Sequence, residues 1–394
     1  MRLRRSVGRV QLELKGRRRL APLICALAAA AVAAAAVVVS LRAQAWNTTA
    51  LVRMHKALPL ERLARHDDPS FRLRDGSGFY DGAFFYAIAR DPLATGQAHR
   101  LVREAPYYWG HPAYGWFTWL ASGGGRPGVV PDALLAVAFV SLVVAAGAAS
   151  LLARSLGWTP WGGLAVAVNP GLILAVSADT SEALGAALLL VGLGAYARGR
   201  RAWVLVSFAA LCLVKEPLAL TPLAIGAWEL WRRRRLTLMP VAVVPALAWW
   251  LYLRIHLGAF PFGRGSERLT APFTGWVHGL VRAASQSWNP GVDTAQLGQA
   301  AVPLIVVTAL AITIGFLYAL RLRSFLDPVF LALAALYACI TPNGVQYPKD
   351  LIRELAIVLT LLPFVLAART YLVTPASAHR DPPAPQLSGR RRGS

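Results

Sequence analysis

Charged residues are scarce in this chain. They make up 15% of its 394 residues, well short of the roughly 25% usual in soluble domains, while 56% of the residues are hydrophobic and the mean hydropathy is +0.48. That shortage argues against an ordinary soluble domain and points to a polytopic membrane protein. Acids are the scarcer sign, 19 Asp and Glu against 41 Lys and Arg, for a formal charge of +22. So basic a balance could suit a nucleic-acid binder, but the positive runs Arg17-Arg18-Arg19, Arg198 to Arg201 and Arg232 to Arg235 each abut an apolar stretch. Cytoplasmic loops concentrate charge in that way, and attraction to anionic headgroups is a compatible second use. No nucleic-acid partner is expected. Cysteine is also rare: Cys25, Cys212 and Cys339 lie inside apolar stretches without zinc-site spacing and read as small packing residues. The glycine-rich SGGGRPG at 122–128 lacks the GK[ST] ending of a phosphate-binding loop and reads as a flexible turn.

Long apolar runs fill much of the remainder. Leu20 to Leu41 is nearly unbroken Ala, Val and Leu after a basic start, enough for the roughly 20 residues of a spanning helix. Ala43-Gln44-Ala45 resembles a signal-peptidase site, but a cleaved leader has an apolar core of only about 7 to 15 residues, so this helix is read as retained. The next clear span, Pro131 to Leu152, leaves residues 43–130 as a first extracytoplasmic loop too long for a simple connection. In that loop HPAYGWFTWLASGGG has an apolar run too short to cross, with Trp116 and Trp119 suited to a helix lying at the interface. Two apolar pairs follow, 161–197 and 202–231, broken near the middle by SADTSE and KEP. Each reads as a hairpin with a polar apex and short arms, tilted or re-entrant. Leu238 to Leu253, Ala301 to Leu320, Pro328 to Ile340 and Leu351 to Ala368 complete the spans. The expected fold is all-α, a polytopic integral membrane protein of about ten membrane segments. Residues 1–19 form a basic cytoplasmic N-terminus, 20–369 a single transmembrane domain and 370–394 a disordered basic cytoplasmic tail.

On this topology the cytoplasm sees only tails and short loops. Chemistry must face outward or sit at bilayer depth, where nucleotide-activated substrates are not supplied but a lipid-linked phosphosugar is. Such a transfer needs a carboxylate for the acceptor proton and cations for the leaving phosphate. The first loop offers Asp75, Asp81 and Asp91, and the hairpin apices offer Asp179, Glu182 and Glu216; Lys215, Arg264, Arg268, Lys349 and Arg353 are nearby cations.

Several of these have two readings. In GFYDGAFFYAIARDP, residues 78–92, Gly82 lets the backbone turn or approach another surface just after Asp81, and Asp81 is either a base at a helix start or its N-cap. Asp179 and Glu182 share a helix face and either orient an acceptor or a metal or cap the helix. Lys215-Glu216 is a phosphate contact or an ion pair closing a turn. Lys349 and Arg353, at i and i+4, either grip a phosphate or are neutralised by Asp350 and Glu354. His111 is an acid, base or ligand, or a satisfied polar residue. Trp276 and Trp288 stack on sugars or belong to the interfacial aromatic belt.

The D-G-x-F-Y-x-x-I-A-like run at Asp81, together with NPGLILAVSADTSEALGAALLLVGLGAYARGRRAWVLVSFAALCLVKEP, resembles the GT-C superfamily of polytopic glycosyltransferases. The likeness is to bacterial relatives of the mannosyltransferases that use dolichyl- or polyprenyl-phosphate sugars. It implies a polyprenyl-phosphate-linked sugar donor, a glycan or lipid acceptor and inversion at the anomeric carbon. By position it makes Asp81 the general base; Asp75, Tyr80, His111, Asp179, Glu182, Lys215, Glu216, Lys349 and Arg353 are then candidate substrate contacts. It further implies a multi-pass protein of the inner (plasma) membrane with its site on the extracytoplasmic face. Some relatives use a divalent cation, although no ligand cluster is evident in this sequence. A transporter or flippase for a lipid-linked glycan, and a non-catalytic subunit of an envelope-synthesis complex, are the alternatives.

Overall fold

The computed structural model describes residues 2–75, 80–234, 237–262, 269–286 and 298–367, with side chains from Arg19 onward except that of Arg233. Within them the regular structure is helical, apart from one isolated bridge between His55 and Arg74. Four helical stretches are long and apolar enough to cross a membrane: Arg19–Arg42, Pro127–Ser155, Met239–His256 and Gly298–Ala319. A fifth is added if Pro160–Ala167 and Pro170–Ser177, bent by 52°, form one broken span. Leu23, Leu27 and Val39 on the first of these stand exposed, as do Val307, Leu310, Ile314 and Leu317 on the fourth. Continuous apolar surface of this kind is costly in water and suits hydrocarbon. The chain is a membrane protein.

Helix α1 (Arg2–Arg42) leads into the segment expected as a long loop, which is itself folded into α2 (Leu60–Asp67), α3 (Asp81–Arg90), α4 (Ala105–Tyr108) and α5 (Ala113–Ala121). Buried carboxylates hold it together. Asp67 accepts from the Tyr86 hydroxyl and from Arg90 Nε, both at 2.6 Å. Asp91 accepts from the backbone N–H groups of Thr95 and Gly96 at 2.9 and 2.8 Å and pairs with His99, so this candidate organises its own loop. Gly123, Gly124 and Gly125 all have positive φ, 67°, 93° and 76°, and make the expected turn. Helix α5 exposes Phe117 and Leu120 and buries Tyr114 and Thr118. Trp116 faces inward, donating to Pro92 O at 2.8 Å.

The rest comprises α6 (Val130–Ser155), α7 (Gly163–Ala167), α8 (Pro170–Ser177), α9 (Glu182–Ala197), α10 (Arg201–Cys212) and α11 (Leu220–Arg233). After these come α12 (Val244–His256), α13 (Thr274–Ser285), α14 (Val302–Ala319), α15 (Leu326–Ala338), α16 (Pro342–Gln346), α17 (Pro348–Glu354) and α18 (Ala356–Ala367). Helix α6 packs on both α1 and α9. At one end of α6 Arg198 donates to Leu151 O at 3.0 Å, bringing the arginine-rich turn there; at the other Thr48 donates to Asp132 at 2.7 Å. The indoles of Trp249 and Trp250 on α12 donate to the carbonyls of Trp109 and Gly110 at 2.6 and 2.9 Å, fastening the first loop to a span.

Two expectations change, and the count of about ten membrane segments is not confirmed. Helix length and composition support four or five crossings, because α9, α10, α15 and α18 are apolar but have only 12 to 16 residues. The last expected span is two helices, α17 and α18, parted at Leu355. Residues 254–300, expected as loop, contain α13, where a Cβ on Gly275 would lie 1.7 Å from Ile340 O. Trp276 on α13 donates to Tyr337 O at 2.9 Å and is thus anchored inward. Arg264, Arg268, Trp288 and the tail 370–394 lie outside the described residues.

The kink between α7 and α8 has a local cause. Pro170 lacks the N–H a continuous helix would use, and Asn169 caps the new start by accepting from Gly171 N at 3.0 Å. Its side-chain amide donates to Ala356 O and Thr360 Oγ1, both at 3.1 Å, so the break is pinned to α18.

Candidate functional site

Two glycines bring the site together. A Cβ on Gly82 would lie 2.8 Å from Val52 O and 3.1 Å from Ala178 O, so the first turn of α3 presses on both the segment after α1 and the α8–α9 apex. On Gly171 it would lie 2.1 Å from Ile352 O, so α8 meets the backbone of α17 directly. Asp81 at the start of α3 and Arg353 on α17 thereby converge across 272 residues of chain.

Asp81 Oδ2 accepts from the Arg353 guanidinium. The N-cap position of α3 belongs to Tyr80, and no side-chain cap bond forms there; Asp81 is therefore no N-cap. Arg353 also faces Glu354 at 3.1 Å and Glu182 at 3.8 Å. Lys215 joins the same carboxylates, at 2.9 Å from Glu182 and 3.2 Å from Glu354. Two cations thus hold three carboxylates contributed by α3, α9 and α17. Burial disfavours the charge on Lys215 and Arg353, but the carboxylates outweigh it and hold both well above their ordinary pKa. Side-chain exposure separates the three acids: 2% for Glu182, 10% for Glu354 and 30% for Asp81. Asp81 is the accessible one.

The remaining candidates divide. Lys215 and Glu216 are not an ion pair with each other, because Glu216 turns to His111, 3.2 Å from its Nδ1. Burial would lower the His111 pKa, yet Glu216 outweighs that and raises it above the ordinary value; Asp81 adds to the rise. Lys349 and Arg353 do not grip one site as a pair. Arg353 is taken by carboxylates, and Lys349 lies over the Tyr80 ring, 5.5 Å from its centroid. That ring also carries Arg53 at 4.8 Å and Arg353 at 5.0 Å, and burial pushes the Tyr80 phenol up to about 12. Asp179 is fully buried in a left-handed conformation, φ 50°, with neither carboxylate oxygen hydrogen-bonded among the described residues. Burial raises its pKa far above the carboxylate range. The capping arrangement expected there does not form, since Ser181 makes no side-chain cap bond. Asp75 stands apart, 88% exposed and paired with Lys56 at 2.6 Å. The sequence offered no signal for Arg53, whose left-handed backbone (φ 54°) ends a buried turn.

The donor set does not fit a resident divalent cation. Among the described residues no three His, Cys, Asp or Glu side chains converge as ligands, and the carboxylates of the cluster already face Lys215 and Arg353.

The chain matches no protein-family model, no curated protein and no solved structure.

Proposed function

We propose that this protein is an inverting membrane glycosyltransferase, moving a mannose-like sugar from a polyprenyl-phosphate donor to an envelope glycan or lipid acceptor. The observation that carries the reading is the state of Asp81. Of the three carboxylates around Arg353 it is the exposed one, and its Oδ1 has no hydrogen-bond partner among the described residues. Arg353 fixes the carboxylate through Oδ2, while Glu182 and Glu354, themselves held by Lys215, fix Arg353. Oδ1 is then free to take the proton of an acceptor hydroxyl. The acceptor oxygen attacks the anomeric carbon as the bond from that carbon to the phosphate oxygen breaks, and the electron pair leaves on the phosphate. Attack opposite the leaving group inverts the configuration.

Sidedness follows from charge. Counting α9, α10, α11, α15 and α18 as short tilted crossings, beside the four long stretches and the broken pair, restores about ten segments with both termini inside. The arginine turns at 198–201, 232–234 and 321–323 then fall on the cytoplasmic side. The Asp81 cluster falls on the extracytoplasmic face of the inner membrane, where a lipid-borne donor is delivered.

The test is complementation of a deletion strain with wild type or Asp81→Asn at matched membrane levels, reading envelope glycans and glycolipids. Wild type should restore a missing sugar, and the Asn variant should transfer it about 10²- to 10⁴-fold more slowly. Equal restoration by both overturns the assignment in favour of a flippase or a complex subunit.

A further inference from the structure

Arg53 and Lys349 are cations that the Asp81 cluster does not use. Both lie over the Tyr80 ring, and neither forms an ion pair with a carboxylate among the described residues. Arg353, the third cation over the ring, is occupied by Asp81, Glu182 and Glu354. Asp350 acts on the ring and on Lys349 electrostatically without pairing with either cation. Three donors here are also buried without an acceptor: Arg53 Nε, Arg353 Nε and the Tyr80 hydroxyl. The face of an aromatic ring attracts a cation only modestly, and buried donors without acceptors are unfavourable. A ligand that brings two or more anionic oxygens satisfies the charges and the donors together.

Position ties this group to Asp81. Arg53 follows Val52, whose carbonyl meets Gly82, the residue after Asp81; Tyr80 precedes Asp81; Lys349 sits one helical turn before Arg353 on α17. The cations are held beside the exposed carboxylate by backbone packing.

We propose that Arg53 and Lys349, gathered on the Tyr80 ring with its hydroxyl, form a binding site for the phosphate of a lipid phosphate monoester beside Asp81. As the site of the leaving group this rests on the glycosyltransferase reading, but phosphate binding is measurable without turnover. Guanidinium donors engage phosphate oxygens in a planar fork and the ammonium adds a point charge. Two unpaired cations suit the two negative charges of a leaving monoester. A bulk phospholipid headgroup is a phosphodiester with one charge and is the competing source of the same chemistry.

The experiment uses the full-length purified protein in neutral-lipid nanodiscs, with polyprenyl phosphate, phosphatidylglycerol and inorganic phosphate as separate probes, read by native mass spectrometry and competition. The expected result is saturable binding of polyprenyl phosphate that phosphatidylglycerol does not displace at equal concentration. Arg53→Gln and Lys349→Gln should each weaken it about tenfold or more, and the double variant should abolish it. Arg53→Lys and Lys349→Arg keep the charge and should lose less affinity than the Gln variants, which separates loss of the site from loss of folding. Wild-type affinity in the Gln variants overturns the site. Equal displacement by phosphatidylglycerol overturns its selectivity for a monoester, and inorganic phosphate competing at similar concentration overturns the lipid as ligand. If the Gln variants lose binding while Asp81→Asn still transfers sugar, the phosphate site stands and the base assignment fails; the opposite pattern removes the site and keeps the base.

Discussion

Replacing Arg353 by Gln removes the residue that ties α3, α9 and α17 together, and its consequence can be worked from the contacts. Arg353 lies 3.1 Å from Glu354 and 3.8 Å from Glu182, gross attractions of about 5 and 4 kcal/mol at an effective dielectric of about 20. Most of that is offset by the desolvation of a guanidinium only 7% exposed, and the net effect of stripping a buried partner from its carboxylates is about 3–5 kcal/mol of destabilisation. The variant leaves the three carboxylates of the cluster with Lys215 alone, which reaches only Glu182 and Glu354. Adding Glu182→Gln returns the cluster to an excess of one carboxylate, the wild-type balance, and should recover about 1–3 kcal/mol. Glu182→Gln alone should instead destabilise, because it takes from Lys215 its contact at 2.9 Å. One substitution therefore changes sign with its background. Thermal unfolding in detergent, followed by tryptophan fluorescence, measures all four proteins of the cycle. Arg353→Lys should rescue little, since a single ammonium cannot span three carboxylates. A double variant that loses the sum of the two single losses would refute the charge-balance reasoning.

Gly82→Ala puts a Cβ 2.8 Å from Val52 O, so α3 must shift by a few tenths of an ångström; stability should fall by about 1–3 kcal/mol and, on the proposed function, sugar transfer by about tenfold to a hundredfold. Wild-type transfer in that variant would break the link between the close contact and the placement of Asp81. The His111–Glu216 pair should make stability depend on pH in a defined window. The folded pKa of His111 is raised, so its contribution is fully present below its ordinary 6.5 and is lost as pH rises through the folded value. Glu216 is depressed, so its contribution is present above about 4.5 and is lost as pH falls through its folded value. Melting curves from pH 4 to 9 should show a pair contribution greatest between those limits, with Asp81 and Lys215 as the other charges acting on His111, and His111→Gln should flatten the decline above it. A decline of equal steepness in His111→Gln would refute the pairing.

Much of the outline could be read directly from the residues. Four of the apolar runs became helical stretches of membrane-crossing length at close to the expected positions: Arg19–Arg42, Pro127–Ser155, Met239–His256 and Gly298–Ala319. Gly82 makes the close approach that its place after Asp81 suggested. Charge was harder to read. Local spacing left two readings open for Lys215-Glu216, for Lys349 with Arg353 and for Asp179 with Glu182, a substrate contact or a local pair or cap. Lys215 does not pair with Glu216 and no cap bond forms at Asp179, whereas Arg353 does face the neighbouring Glu354; the other partners lie far along the chain. Glu354 is 139 residues from Lys215 and Asp81 is 272 from Arg353, and sequence spacing carries no information on such pairs. Arg53 had no sequence signal because its importance comes from where a buried turn ends.

By itself the sequence determined the kind of environment this protein occupies and where its polar chemistry could be. Hydrocarbon admits only backbone whose hydrogen bonds are satisfied internally, so long apolar runs commit the chain to helices and push charge to their ends. Only the tertiary structure decided which of those charges meet and which carboxylate remains open. That choice depends on helix contacts a few ångströms wide, at Gly82 and Gly171, where the absence of a side chain lets distant backbones touch. These contacts bury Glu182 and Glu354 behind Arg353 and leave Asp81 at the surface of the cluster.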